Sequence, residues 1–502
     1  MTETDELLRD TSWKPGDRID TAADYLASVA GRDLAVYLMG ERVAEPLTHP
    51  IIRPSINAMA ATYALAQEDP DLATAQSSLS GLRVNRFLHV TESVEDVVAQ
   101  NRMQRRLGQL TGTCFQRCVG MDAINSTYSL TYDLDAATGS HYHERFRRWL
   151  LDLHRDNVVL GGAMTDPKGD RSKGPSEQAD PDMFLRVVER TPEGVVLRGA
   201  KAHQTGAVNS HWLLAMPTMR LGEHDRDYAI VAACPVDTPG LSYIYGRQAS
   251  DGRALEPGSM DNGNPCFAGQ EVLVVYDDVF VPYEHVFMDG EIEYAAELVS
   301  RFTSYHRRSY VCKTGVGDVL IGAAALAAEY NGADGASHVK DKLVEMVHLN
   351  ETIFSSGIAA SHESFERPAG NYENDGMLAN VCKHNVTRYP YEIGRLAQDL
   401  AGGLMVTMPS EADFDSEITG PVLEKYLQGR ADIPTRDRMR ILRLIENMTM
   451  GRNAVGYLTE SMHGAGSPQA QRIQIARQAD MNEKKHLAAR IAGLLPDEDP
   501  CD

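Results

Sequence analysis

Between residues 184 and 281 the chain carries six short apolar runs with no helix-length segment between them: Phe184–Glu189, Val195–Lys201, His211–Met216, Tyr228–Cys234, Leu241–Tyr245 and Val272–Val281. A parallel crossover needs a dozen or more residues, usually a helix, so runs joined by links as short as the Pro192-Glu193-Gly194 turn pair antiparallel. The pattern predicts an antiparallel sheet or small barrel and excludes alternating strand–helix units. A turn-rich lead-in, Gly-Gly-Ala-Met-Thr-Asp-Pro-Lys-Gly-Asp-Arg-Ser-Lys-Gly-Pro at 161–175, marks where this region begins.

Both flanks read as helical. On the N-terminal side, three- and four-residue apolar spacing predicts helices over Thr21 to about Val43, Ser55 (as N-cap) to Ala66, Val94–Tyr132 and His143–Asn157. Residues 1–18 are polar and are expected to be mobile until they dock. On the C-terminal side, residues 318–330, 338–353 and 437–462 are long amphipathic patterns that suggest a helix bundle. The expected fold class is α+β, with a helical domain at 1–155, a β domain at 156–292 and a helical bundle at 293–502. No repeat is evident, and neither a strand–GxGxxG–helix unit nor a phosphate loop occurs.

Charge narrows the partners. With 49 basic against 71 acidic residues the net charge is −22, which argues against nucleic acid or an anionic membrane surface. The N-terminus lacks a basic region followed by an apolar run, and no stretch reads as a span of about 20 apolar residues. The expectation is a cytoplasmic protein. Seven cysteines are too few and too scattered for a disulfide framework. Cys234, Cys266, Cys382 and Cys501 read as small apolar residues or a tail thiol.

Two stretches carry the chemistry. Tyr305–Asp318 places His306, Tyr310, Cys312 and Lys313 within eight residues, and Cys114 and Cys118 form a second thiol pair upstream. Three thiols and an imidazole are a metal or iron–sulfur donor set. On a continuous helix Cys114 and Cys118 share a face, which suits two cluster ligands and equally suits two buried thiols packing a core. His306 and Cys312 are six apart, about 120° around an ideal helix, so they meet only if the helix begins, ends or bulges between them. The loop Met164, Thr165, Asp166, Pro167, Lys168, Gly169, Asp170, Arg171 offers backbone N–H groups and two cations to a flavin or pyrophosphate, or is a solvated turn. His203, Gln204 and Thr205 follow a strand and offer hydrogen bonds to a flat ring. Glu460 and His463, three apart, are either a base–acid pair or a helix-end salt bridge; Glu271 opens a strand as a second carboxylate.

These motifs resemble the 4-hydroxyphenylacetate 3-hydroxylase family, in its branch acting on 4-hydroxybutyryl-CoA and vinylacetyl-CoA. The stretches that carry the resemblance are 49–57, 114–123, 164–171, 199–206, 401–414 and 459–472, so it spans nearly the whole chain. It implies an acyl-CoA dehydrogenase-like fold ending in a four-helix bundle, a homotetramer, FAD and a [4Fe–4S] cluster. It assigns Cys114, Cys118, His306 and Cys312 to the cluster, Met164–Arg171 and His203–Thr205 to FAD, and Tyr310, Glu460 and Glu271 to the reacting carbons, with His306 also moving a proton. The implied reaction gives crotonyl-CoA: a C2 proton is lost, one electron passes to the flavin, the C3 proton becomes labile, and the C4 hydroxyl leaves with iron as Lewis acid. One departure stands out. The family pattern has two glycines between this tyrosine and this cysteine, whereas here only Val311 intervenes, which on a continuous helix turns Cys312 by about 100°. A cluster-free FAD-dependent monooxygenase is the alternative within the same family, and a flavin- or cluster-carrying sensor a third reading.

Overall fold

The computed structural model describes residues 14 and 16–495. Most of the polar N-terminal stretch and Cys501 therefore lie outside the described residues.

The chain opens with α1 (Ala22–Val29), capped by Thr21, whose hydroxyl accepts from Asp24 N–H while the Asp24 carboxylate accepts from Thr21 N–H. The helix expected to run on to Val43 stops there. Instead β1 (Val36–Leu38) and β2 (Glu41–Arg42) form a hairpin, Leu38 opposite Glu41. Met39 and Gly40 both adopt positive φ, +54° and +83°, the two-residue turn that matches strand twist. Helix α2 (Arg53–Glu68) starts three residues earlier than expected, with Ile52 rather than Ser55 at the N-cap, and Ser55 is inside it, its hydroxyl donating to Ile52 O. The expected long helix at 94–132 is two helices, α3 (Val94–Thr111) and α4 (Cys118–Thr138). Gly112, at φ +61°, ends α3 in a left-handed cap. Helix α5 (Tyr142–Asp156) closes the helical start.

The β region holds two sheets. Its strands are β3 (Leu160–Ala163), β4 (Arg186–Arg190), β5 (Gly194–Thr205), β6 (Trp212–Ala215), β7 (Ile230–Pro235), β8 (Leu241–Tyr245), β9 (Glu271–Pro282) and β10 (Val286–Asp289). One sheet runs β2-β1-β8-β9-β5-β4 and the other β10-β7-β6-β3. Pairing is antiparallel except β1 with β8 and β3 with β6, whose partners arrive from the helical start. Strands β3 and β10 were missed: Leu160–Ala163 carries two glycines, which read as turn, and Val286–Asp289 follows directly on the run ending at Val281. The long β5–β9 ladder ends with Thr205 opposite Glu271.

Helices α6 (Ile292–Ser309), α7 (Cys312–Tyr330), α8 (Ser337–His362), α9 (Gly376–Val386), α10 (Tyr389–Ala401) and α11 (Thr435–Thr449) form the C-terminal region. Four of them, α7, α8, α10 and α11, pack around one core that includes Leu320, Met346, Ile393 and Ile445. The pattern at 437–462 breaks at Gly451, continues as a π turn (Val455–Thr459) and ends in the helical turn Glu460–His463. The span Ile292–Tyr330 is long and apolar enough to cross a membrane by composition, with mean hydropathy 1.5, but 67% of that window is buried inside the protein. Helix α7 meets α3 backbone to backbone. A Cβ on Gly315 would lie 1.9 Å from Arg105 O, and one on Gly108 would lie 2.6 Å from Cys312 O, so glycine is required at both positions.

Candidate active site

The site is built at the corner between α6 and α7. Helix α6 ends at Ser309, Tyr310 and Val311 make the turn, and Cys312 opens α7. That break is the condition under which residues six apart can face one point. His306 and Cys312 both line one small cavity, which Cys114 and Cys118 also line. Both residues reach the one cavity because the count of residues along a helix does not carry across a break.

Cys114 and Cys118 converge by a different route from the shared helix face expected of them. Cys118 is the first residue of α4, and Cys114 sits in the preceding loop. Gln116 holds that loop in a left-handed turn at φ +69°, its amide donating to Ser55 O at 2.9 Å and Ala268 O at 3.3 Å. Gln104 donates to Cys118 Sγ at 3.3 Å. Burial, then the Glu460 charge, pushes the Cys114 thiol well up, and burial does the same to Cys118. A hydrogen bond from Cys118 lowers Cys312 despite burial.

Asp122, one turn into α4, orients His306. Its carboxylate is 2.8 Å from Nδ1, so Nδ1–H donates there and Nε2 is left for another partner. The other carboxylate oxygen accepts from Ser309 Oγ at 3.0 Å and lies 3.7 Å from the Arg308 guanidinium. Sequence reasoning missed Asp122, although its place four residues after Cys118 puts both on one helix face.

Thr205, Tyr310 and Glu460 line the same cavity. Lys313 Nζ donates to Glu460 Oε2 at 3.0 Å, and Tyr310 Oη to Oε1 at 3.5 Å. Burial works against the Lys313 charge, but Glu460, then Cys312 and Cys114, outweigh it and keep the ammonium charged. Glu460 and His463 share a helical turn yet have different neighbours: the charge of His463 bears on exposed His203. Glu271 accepts from Gln248 Nε2 at 2.6 Å through Oε2, and its Oε1 is buried without a hydrogen-bond partner. Burial, then the charge of Glu460, pushes its carboxyl up to about 7.

The two stretches expected to hold a flavin are stitched to one another at the sheet edge. Gln204 accepts from Met164 N–H at 2.9 Å and donates to Thr165 O at 3.0 Å. Buried Lys201 donates to Asp166 at 2.5 Å and to Met164 O and Met216 O, which fixes the base of the loop. Further along, Lys168, Gly169, Asp170 and Arg171 are exposed, and the Lys168 charge lowers His203 after burial does. His203 itself has φ +57°, rare for a side chain with a Cβ. Cys234 and Cys382 are buried as expected, but Cys266 is an exposed thiol.

Acid, base and thiol groups gathered out of water serve proton transfer and ligation, and the chain is an enzyme. It belongs to the 4-hydroxyphenylacetate 3-hydroxylase family, whose N-terminal part matches residues 21–288 and whose C-terminal part matches 295–493. It is 54% identical over 486 residues (94% of this chain, 99% of the other) to the 4-hydroxybutyryl-CoA dehydratase/vinylacetyl-CoA-Δ-isomerase of Clostridium aminobutyricum. The structure of an oxygen-tolerant archaeal 4-hydroxybutyryl-CoA dehydratase from N. maritimus superimposes with a TM-score of 0.94 at 62% identity, covering 96% of both chains. The FAD-complexed oxygenase component of a 4-hydroxyphenylacetate 3-monooxygenase superimposes with a TM-score of 0.82 at 25% identity, covering 94% of this chain and 98% of that one.

Proposed function

We propose that the protein dehydrates 4-hydroxybutyryl-CoA to crotonyl-CoA and isomerises vinylacetyl-CoA to the same product. The observation that carries this reading is the convergence of Cys114, Cys118, His306 and Cys312 on the cavity that Tyr310 and Glu460 also line.

Three thiols and an imidazole are donor types that a [4Fe–4S] cluster takes. Among the described residues no three such side chains close on a single ion. Cys114, Cys118, His306 and Cys312 would be the side chains to hold a cluster. Asp122 leaves Nε2 of His306 free toward the cavity, as a ligating histidine requires. The flavin fit rests on the stitched Met164–Arg171 and His203–Thr205 stretches, with Lys168 and Arg171 exposed to meet phosphates. When bound, FAD supplies one-electron redox chemistry and the cluster a Lewis acid for the leaving hydroxyl.

The side chains supply the proton steps. Glu460, held between Lys313 and Tyr310, takes the C2 proton, which the thioester acidifies. Tyr310, whose hydroxyl is kept protonated by burial and then by the Glu460 charge, donates a hydrogen bond to the developing enolate. Glu271, titrating about 7, exchanges a proton at the far carbon, a step His306 shares only when it is free of metal. Lys313 fixes the position of the Glu460 carboxylate by donating to Oε2 at 3.0 Å.

We further read the enzyme as a cytoplasmic homotetramer without nucleic-acid or membrane partners, with domains at 1–155, 156–292 and 293–502 in an acyl-CoA dehydrogenase-like arrangement. Self-assembly is supported by exposed Val406, Ile418 and Tyr426 and by the helix Met481–Ile491, which has no buried residue. The test is anaerobic purification. The protein should carry about four iron and four sulfide per chain and convert vinylacetyl-CoA without added reductant, and Cys114→Ala should lose iron and turnover together. Yellow, iron-free protein that consumes oxygen with reduced flavin moves the assignment to the monooxygenase.

A further inference from the structure

Behind Tyr310 lie two buried cations to which the proposed reaction gives no role. Lys383, on α9, is fully buried, and Arg307, on α6, is nearly so. Among the described residues neither makes an ion pair. Burial lowers Lys383 to about 7, against the attraction of Glu460, and lowers Arg307 to about 10; with no ion pair, each buried group relies on hydrogen-bond partners of another kind.

Both cations find that partner in one short segment. Lys383 Nζ donates to Ser461 O, and Arg307 Nε donates to Ala465 O at 3.0 Å. Arg307 also donates to Asn380 Oδ1 at 2.8 Å, one turn before Lys383 on the same helix. The segment they bracket, residues 461–465, follows directly on Glu460. The chain leaves a π turn, makes a single helical turn at Glu460–His463, then passes through Ala465 at φ +55° and Gly466 at φ +98°. The single turn closes one bond, from Gly464 N–H to Glu460 O at 2.7 Å, so its later carbonyls need other donors, and cations suit them. The segment also bears directly on Tyr310. A Cβ on Gly464 would lie 1.7 Å from Tyr310 Oη, and Lys383 Nζ lies 4.0 Å from the centre of the Tyr310 ring. A shift of residues 461–465 therefore changes the Glu460–Tyr310 spacing.

We propose that Lys383 and Arg307 are positioning residues, a two-point carbonyl clamp that holds the segment 460–466 and thereby sets Glu460 against Tyr310; the consequence for turnover rests on the reaction proposed above.

The test uses the holoenzyme with Lys383→Met, Arg307→Met and Lys383→Arg. Methionine fits the lysine site and removes a buried charge, so the fold should persist. Amide hydrogen exchange across residues 459–466 should speed up about tenfold or more in both methionine variants, with other peptides unchanged. The kcat for vinylacetyl-CoA should fall ~10- to 100-fold at nearly constant KM, as a misplaced base requires, and Lys383→Arg should recover part of it. Unchanged exchange at 459–466 overturns the clamp, as does a rise in KM with kcat intact. Wild-type enzyme that leaves vinylacetyl-CoA unconverted overturns the proposed function, while the exchange experiment still decides the clamp.

Discussion

Asp122→Asn isolates the group on which two buried cationic or protonatable neighbours depend. The substitution preserves size and one carbonyl acceptor but removes the charge facing Arg308 at 3.7 Å. At an effective dielectric of about 20 that attraction is about 4.5 kcal/mol before desolvation. Breaking a buried pair from one side costs about 3–5 kcal/mol, because Arg308 is fully buried and keeps its charge. For a chain of 502 residues melting as one unit, that lowers Tm by about 3–5 °C. The same change places an amide N–H₂ against either His306 Nδ1–H or the Ser309–Arg308 side. With Nδ1 no longer held, affinity for iron should drop about 10- to 100-fold. The assay is a thermal melt beside iron content after anaerobic dialysis against a chelator. A variant that melts within about 1 °C of wild type and keeps its iron refutes both the ion-pair reasoning and the ligand role of His306.

Lys201→Met strips Asp166 of its buried partner and should cost about 3–5 kcal/mol, read as a lower Tm and FAD lost on gel filtration; unchanged flavin retention counts against the pinned loop. Gly108→Ala drives a methyl into Cys312 O, and iron content should fall while far-ultraviolet circular dichroism stays constant. Glu271, raised to about 7 from 4.5, binds its proton more tightly in the folded state. Between those two values the folded chain therefore holds more proton than the unfolded one, and stability contributed by this group declines as pH rises. Melts of wild type from pH 5 to 7.5 should show this decline, and Glu271→Gln should flatten it; equal slopes would falsify the assignment.

The helical–β–helical order was legible because apolar spacing changes period where the chain changes element, and β8 was read to the residue. The hairpin at β1–β2 was not, since three-residue strands carry no periodicity and β1 is fixed by its distant partner β8. At the site, residue types were legible and geometry was not. Cys114 and Cys118 were taken as one helix face, yet Gly112 ends the helix before either. Asp122 and Lys313 were visible as letters, but only the folded chain shows that they hold His306 and Glu460. Lys383 gave no local signal, because what it touches lies about 80 positions further along the chain.

Cys312 owes its place to the contact between α3 and α7, which meet at Gly108 and Gly315, and the Cys114 loop leaves from the end of that same α3. Both halves of the sulfur set are thus measured from a common datum, much as two scales share one zero. The corner after His306 spans the gap between α6 and an α7 already placed by that contact. A single methyl on the datum, at Gly108 or Gly315, would push the two helices apart and carry Cys312 with them.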